Sequence, residues 1–384
     1  MTIFSLRSLL FLCGAAVAAA ITFAVVTSDG DVEFEGEDAT SVRHTVRGDS
    51  SEFSLREDGL TLKADWRGKL KLDKTGDDIA YVEDYLVIEI EEGDNRESLR
   101  LEKDGRGLEA TYWRDGNEQE PGDETDAHVH DLILRFLRAS GFEAEMRVKK
   151  IIEERGVDAA LAEIDALSSD YAVRQYVAAL SESESLSEEN VERLIDKLLR
   201  VKGDHDIARA LLSIAEHQEF TEATTAALIS VSENIDSDYE KRRVLTALAD
   251  RPLSDAVSEK TITLLSSIDS DHDFRVSMEA LLAREDASED QIARLLDAAA
   301  EKLENDHDLR LILTKSATHL ADETVANAWL LAFDEISSDY DRRVALEAAA
   351  LAASDNEALK VQLRDAAETI ASEYDRERAL KAFE

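Results

Sequence analysis

The sequence predicts an α+β multidomain chain in three parts: an apolar N-terminal segment, a small antiparallel β-meander module, and a C-terminal α-solenoid of about seven 34-residue helical hairpins. Three observations carry this expectation. Apolar and polar residues alternate with period two from residue 31 to about 115. Beyond residue 125 the period is helical to the end of the chain. Within that helical stretch a short motif, "IDSDYEKRRVL" at 235–245, recurs at nearly constant intervals.

From Leu9 to Val26, "LLFLCGAAVAAAITFAVV", no charge occurs; Arg7 precedes it and acidic residues follow. At about 1.5 Å per residue such a helix spans roughly 27 Å, the thickness of a bilayer core. Residues 1–27 are therefore expected to be a membrane anchor with the remainder of the chain outside the cytoplasm. The alternative is a signal peptide cleaved after a small-residue site such as Ala18-Ala19-Ala20. The anchor is preferred, because cleavage there would leave apolar "ITFAVV" exposed. Cys13, the single cysteine, lies inside this segment, so no disulfide forms within one chain.

In the expected β module, residues 28–115, "LTLKADW" places Leu60, Leu62, Ala64 and Trp66 on one face, and "YLVIEIEE" places Leu86, Ile88 and Ile90. Leu99 and Leu101, then Leu108, Ala110 and Tyr112, continue the pattern. Gly-containing turns such as Asp58-Gly59, Gly93-Asp94 and Asp104-Gly105 separate the runs. This predicts an antiparallel sheet or curled barrel of six or seven strands with one buried face. "DGNEQEPGDET" loses all periodicity, so residues 116–125 are expected to be a linker and 126–384 the helical domain.

The aromatic of the recurring motif falls at Tyr171, His205, Tyr239, His272, His307, Tyr340 and Tyr374, at intervals of 33 to 35 residues. Four residues earlier stand Leu167, Val201, Ile235, Ile268, Leu303, Ile336 and Ile370; six later stand Val177, Leu211, Leu245, Met278, Leu313, Leu346 and Leu380. These columns are expected to close the first helix and to fill the core from the second. Val191, Leu194, Ile195, Leu198 and Leu199 show the apolar stripe of a first helix. Stacked hairpins bury such stripes where one alone does not.

An acid precedes each aromatic: Asp170, Asp204, Asp238, Asp271, Asp306, Asp339 and Glu373. It is expected to cap the second helix. Arg174, Arg242, Arg275, Arg310 and Arg343 follow four residues after it, close enough to lie over the same carboxylate, and in two copies the arginine shifts to Arg209 and Arg378. The aromatic is expected to pack into the corner between hairpins. On this reading the motif is structural, and the five arginines are the first candidates for a binding edge.

Composition narrows function. A chain of 384 residues with 44% hydrophobic content builds sizeable cores, and a net charge of −41 repels phosphate backbones and anionic lipid, so no nucleic-acid partner is expected. No HExxH, P-loop, GxSxG, GxGxxG or CxxC pattern occurs, so no catalytic residue, cofactor or metal site is assigned. Neighbouring repeats stack at about 10 Å, so His205, His272 and His307, which stand in separate repeats, are too far apart to share one ion, and Tyr replaces them in other copies. "DSDHDF" imitates an EF-hand at Asp269, Asp271 and Asp273 but has Phe274 where glycine is required. His128 and His130 in "DAHVHD" point to different sides of a helix.

The stretches "AEMRVKKIIEERG", "LAEIDALSSDYAVRQYVAAL", "IDSDYEKRRVLTAL" and "ISSDYDRRVALEAA" resemble bacterial extracytoplasmic proteins with "SDYxxR" helical repeats. Some of those are fused to membrane peptidases of the antirepressor type, whose catalytic motif is lacking here. The repeats are also similar to HEAT-type and tetratricopeptide arrays. The resemblance covers about two-thirds of the chain and implies fold and compartment. The expectation is an extracytoplasmic, non-catalytic scaffold or adaptor for an unidentified protein or peptide, touching membrane only through its N-terminal segment. The alternative is a periplasmic sensor or regulatory subunit acting through a membrane partner.

Overall fold

The computed structural model describes residues 32–35 and 41–384, apart from residues 58, 106, 252, 354 and 355. The apolar segment at 9–26, read above as anchor or signal, lies outside them. No helix among the described residues is long and apolar enough to cross a membrane. The chain divides into two compact units, Met1–Ser183 and Glu184–Glu384.

The first unit begins with an antiparallel sheet of β1 (Val32–Glu35), β2 (Ser41–Arg47), β3 (Ser50–Glu57), β4 (Leu60–Arg67), β7 (Tyr85–Glu92), β8 (Asn95–Asp104), β9 (Gly107–Arg114) and β10 (Asn117–Glu118), in that spatial order. Between β4 and β7 the chain leaves the sheet to form a separate ribbon of β5 (Leu70–Leu72) and β6 (Ile79–Val82). The strand count thus exceeds the predicted six or seven. Part of the excess comes from the expected linker: Asp115 and Gly116 both adopt positive φ, 51° and 79°, so a two-residue turn folds Asn117 back onto Arg114. The alternation is obeyed at Leu62, Ala64, Trp66, Leu86, Ile88, Ile90, Leu99 and Leu101, all buried. Ala110 is exposed instead, whereas Tyr112, on the same face, is covered by the His128 ring stacked 5.8 Å away.

Helix α1 (Asp123–Ser140) starts three residues earlier than expected, with Asp123, Glu124 and Asp126 at its positive end and Arg138 at its negative end. Its apolar stripe (Leu132, Ile133, Phe136, Leu137) lies on the sheet, so sheet and helix share one core in which Phe136 and Phe142 meet the Trp66 ring edge-on. Helices α2 (Ala144–Arg155), α3 (Val157–Asp165) and α4 (Asp170–Ser183) complete the unit.

Arg147 of α2 is the buried polar centre of this unit. Its side chain is 0% exposed. It donates to Gly76 O at 2.6 Å, to Asp77 Oδ1 at 2.9 Å, to Glu163 Oε1 at 2.8 Å, and to the Tyr176 hydroxyl. Arg138 adds two bonds to Glu163, at 2.8 and 3.0 Å. Burial raises the Glu163 carboxyl, but the Arg138 hydrogen bonds and the Arg147 charge outweigh it and hold the group below its ordinary value. Burial also pushes the Tyr176 phenol up to about 12. The Gly76 end of the network is a turn in which Asp73 Oδ1 accepts the Gly76 N–H at 2.7 Å and the Asp77 N–H at 3.1 Å.

The second unit holds α5 (Glu188–Asp196), α6 (Asp204–His217), α7 (Glu222–Ser232), α8 (Asp238–Leu248), α9 (Asp255–Ser266), α10 (Asp271–Leu282), α11 (Glu289–Lys302), α12 (Asp306–Ser316), α13 (Glu323–Asp334), α14 (Asp339–Ala352), α15 (Glu357–Glu368) and α16 (Glu373–Lys381). Odd-numbered helices pack on odd and even on even, each two places along, so every hairpin lies against the next. Six of the seven residues in the column before the aromatic lie within this pattern and are buried, as is Leu167 of the first unit. They sit in the turn after the first helix rather than at its end. In the later column Leu211, Leu245, Met278, Leu313 and Leu346 are fully buried, while Leu380 in the last hairpin is half-exposed.

Leu199 departs from the expected stripe and is 57% exposed. Helix α5 tightens into a 3-10 turn at Lys197–Arg200, and at about three residues per turn the Leu199 side chain swings off the face that Val191, Leu194 and Ile195 define. Helix α16, "EYDRERALK", buries Ala379 alone.

Candidate functional site

The recurring motif stands at the start of each even-numbered helix from α6 to α16, and its parts differ from expectation in three ways. The helix cap is not the acid before the aromatic. It is the residue before that: Ser237, Ser270, Ser338 and Ser372 accept the backbone N–H three residues on, at 3.3–3.4 Å, and Asn305 serves α12 in the same way.

The acid instead reaches forward to the next hairpin. Asp204 Oδ2 accepts the backbone N–H of Asp236 at 3.1 Å and of Ser237 at 2.7 Å. Asp238 does the same for Asp269 and Ser270, Asp306 for Ser337 and Ser338, and Asp339 for Ala371 and Ser372, all within 2.8–3.1 Å. Asp271 makes no such bond among the described residues. It precedes the one interval of 35 residues, where the extra residue displaces the turn.

The arginines also reach forward rather than over their own carboxylate. Arg242, Arg275, Arg310 and Arg343 direct Nε to Asp273, Asp308, Asp341 and Asp375 at 3.1, 2.6, 2.7 and 2.8 Å. Each acceptor is the residue after the aromatic in the next copy, a column that sequence reading passed over although "SDHD", "NDHD", "SDYD" and "SEYD" display it. The hydrogen bonds that Arg275 donates to Glu279 and Asp308 outweigh burial and raise the pKa of its guanidinium; those to Glu347 and Asp375 do this for Arg343. The Ser372 hydroxyl, with Arg343, lowers the Asp375 carboxyl. Arg343 is only 7% exposed, and Arg242, Arg275 and Arg310 are also largely covered. In the second copy Ala208 stands at the arginine position, and there the His205 ring takes over: its Nδ1 lies 3.0 Å from Glu240, a longer acid at the receiving position.

The third difference is the aromatic, which faces solvent rather than the corner. His205, His272, His307, Tyr340 and Tyr374 are exposed, the last two by 58% and 65%, and Tyr239 is half-buried. A guanidinium lies over each tyrosine: Arg242 over Tyr239 at 4.8 Å, Arg343 over Tyr340 at 5.0 Å and Arg378 over Tyr374 at 5.8 Å. Arg275 and Arg310 instead approach Nδ1 of His272 and His307 at 3.3 and 2.8 Å. In the first unit Arg174 covers Tyr171 at 4.9 Å.

The other sequence candidates are placed in ordinary contacts. His128 stacks on Tyr112 and meets Arg114, and His130 Nδ1 lies 3.4 Å from Asp78. Asp269 pairs with Lys302 at 2.8 Å, Asp273 with Arg242, and Asp271 opens α10. Among the described residues no three His, Cys, Asp or Glu side chains are arranged to hold a metal ion. Compared with known proteins, the chain matches no family and no curated protein.

Proposed function

We propose that the protein is an extracytoplasmic interaction scaffold, with an α-solenoid of about seven hairpins following a β module in the sequence and the whole held at the membrane by its N-terminal segment. One observation carries the binding reading: a tyrosine or histidine ring faces solvent in successive repeats, with a guanidinium beside the tyrosines and beside His272 and His307. Tyrosine and arginine are the side chains that most often supply binding energy at protein interfaces. The arginines' charges are already met by carboxylates, so they act as rigid supports for the rings and leave the tyrosine and histidine faces as the contact surface. The resemblance to extracytoplasmic "SDYxxR" repeats supports the compartment.

The test is affinity capture from native envelope extract with the full chain and with a Tyr340→Ala/Tyr374→Ala variant. A polypeptide retained by the first and lost by the second, at unchanged melting temperature, is the expected result. Identical retention by the two overturns the assignment of this edge.

A further inference from the structure

A cavity of about 370 Å³ opens in the first unit between strands β2–β4, the α1–α2 turn and helix α4. Four aromatic side chains line it, Phe53 and Trp66 from the sheet, Phe142 from the turn and Tyr171 from α4, together with Ala144, Ala178 and Ala179. Three carboxylates, Glu143, Glu145 and Glu182, line it as well. All three are exposed, and none makes an ion pair or side-chain hydrogen bond among the described residues. No lysine or arginine lines the cavity. Arg174, whose guanidinium covers the Tyr171 ring at 4.9 Å, is not among the lining residues.

Two further features belong to this cavity. His44 stacks on Trp66 at 5.7 Å, its Nε2 is buried without a hydrogen-bond partner, and burial lowers its pKa, which keeps the ring neutral at pH 7. The imidazole therefore adds no positive charge and leaves one hydrogen-bonding position open. Among the described residues Glu143 is one of two non-glycine residues with positive φ, 52°, and it stands at the N-cap of α2 without capping it. The fold thus places this carboxylate at the cavity and uses it for nothing else.

We propose that this cavity receives the basic side chain of a partner polypeptide, a lysine or an arginine. The aliphatic stem lies along the aromatic lining while the charged head meets the glutamates, the arrangement by which long cationic side chains bury their stems. Charge complementarity selects this occupant over a neutral apolar one. An apolar group fills the volume but leaves three carboxylates facing it, whereas a cation satisfies both parts of the lining. An anionic group is repelled.

The site shares no residue with the Tyr340 and Tyr374 edge, so the two readings fail separately. The experiment is calorimetric titration of the full chain with acetyl-Ala-Arg-Ala-amide and with its citrulline counterpart, which keeps the shape and lacks the charge. The arginine peptide is expected to bind with one-to-one stoichiometry and at least tenfold more tightly than the citrulline peptide. A Glu143→Gln/Glu145→Gln/Glu182→Gln variant, altered only at exposed positions, is expected to lose that preference. An Ala178→Trp variant fills the cavity and leaves the glutamates in place, and it is expected to abolish binding. Equal affinity for the two peptides, or no binding, overturns the proposal. So does binding that survives Ala178→Trp, since the acidic surface alone then accounts for it.

Discussion

Replacing Arg147 by methionine keeps most of the side chain's length and removes its charge. The guanidinium has no exposed surface, so water does not take over its bonds. Its removal leaves the Gly76 carbonyl and the Tyr176 hydroxyl without these partners, and each buried group so orphaned costs about 1–3 kcal/mol. Glu163 keeps the paired hydrogen bonds from Arg138, so its charge is not wholly abandoned. These losses overlap, and the expected destabilisation is about 3–5 kcal/mol, the range for breaking a buried ion pair from one side. For a unit of this size that is a drop of roughly 6–20 °C in melting temperature. Thermal unfolding of the full chain, followed by calorimetry, measures it.

The same substitution changes the acid limb of stability. In the native protein the Glu163 carboxyl is held below its unfolded value, so its contribution is fully present above that unfolded value and is lost as pH falls through the folded one. Without Arg147 the burial effect gains weight, the folded value rises, and the loss begins at higher pH. A destabilisation below about 1 kcal/mol, within the range of ordinary surface substitutions, refutes the reasoning. So does an unchanged acid limb.

Three further outcomes follow from the geometry. Arg242→Ala removes both the stack on Tyr239 and the bond to Asp273, and lowers stability by about 1–2 kcal/mol in urea titration, with no change in m-value. Gly76→Ala puts a Cβ 3.2 Å from Arg147 Cγ on a residue whose φ is +81°, and costs about 1–3 kcal/mol; a neutral result removes the steric argument. A double-mutant cycle on Arg310 and Asp341, whose side chains are both largely covered, gives a coupling of about 0.5–2 kcal/mol, whereas Arg310 and Asp306, in the same copy, show little.

How much of this was legible is clearest at particular residues. Leu62, Ala64 and Trp66 announce their face because strand geometry alternates strictly, and the buried column from Leu167 to Ile370 announces itself because every hairpin meets its neighbour alike. Leu199 misleads because a single tight turn changes the helical period locally. The corner misleads more instructively. Asp238, Tyr239 and Arg242 lie within one turn of helix, and local spacing suggests that they serve each other. Yet the partners of Asp238 are the N–H groups of Asp269 and Ser270, some thirty residues away, and no periodicity within one copy points to them. Only the carboxylate column after the aromatic, compared between copies, carries that information. Its gap at Ala172 fits a first copy with no earlier arginine of the motif before it. The aromatic-lined cavity was not legible at all, since His44, Trp66, Phe142 and Tyr171 come from four separated segments.

The corner bonds have a direction. Each carboxylate of the Asp204, Asp238, Asp306 and Asp339 series accepts N–H groups 31 to 33 residues later in the chain, and each arginine reaches the same way. A chain made from its N-terminus therefore builds each of these carboxylates before the N–H groups it accepts exist, and each arginine before the carboxylate it reaches. As each new turn leaves the ribosome, its backbone amides meet a carboxylate at the start of a helix already made. Assembly then proceeds like masonry, each course laid on one that has set. The Asp271 corner, which lacks this bond, is the place where a growing chain is expected to hesitate.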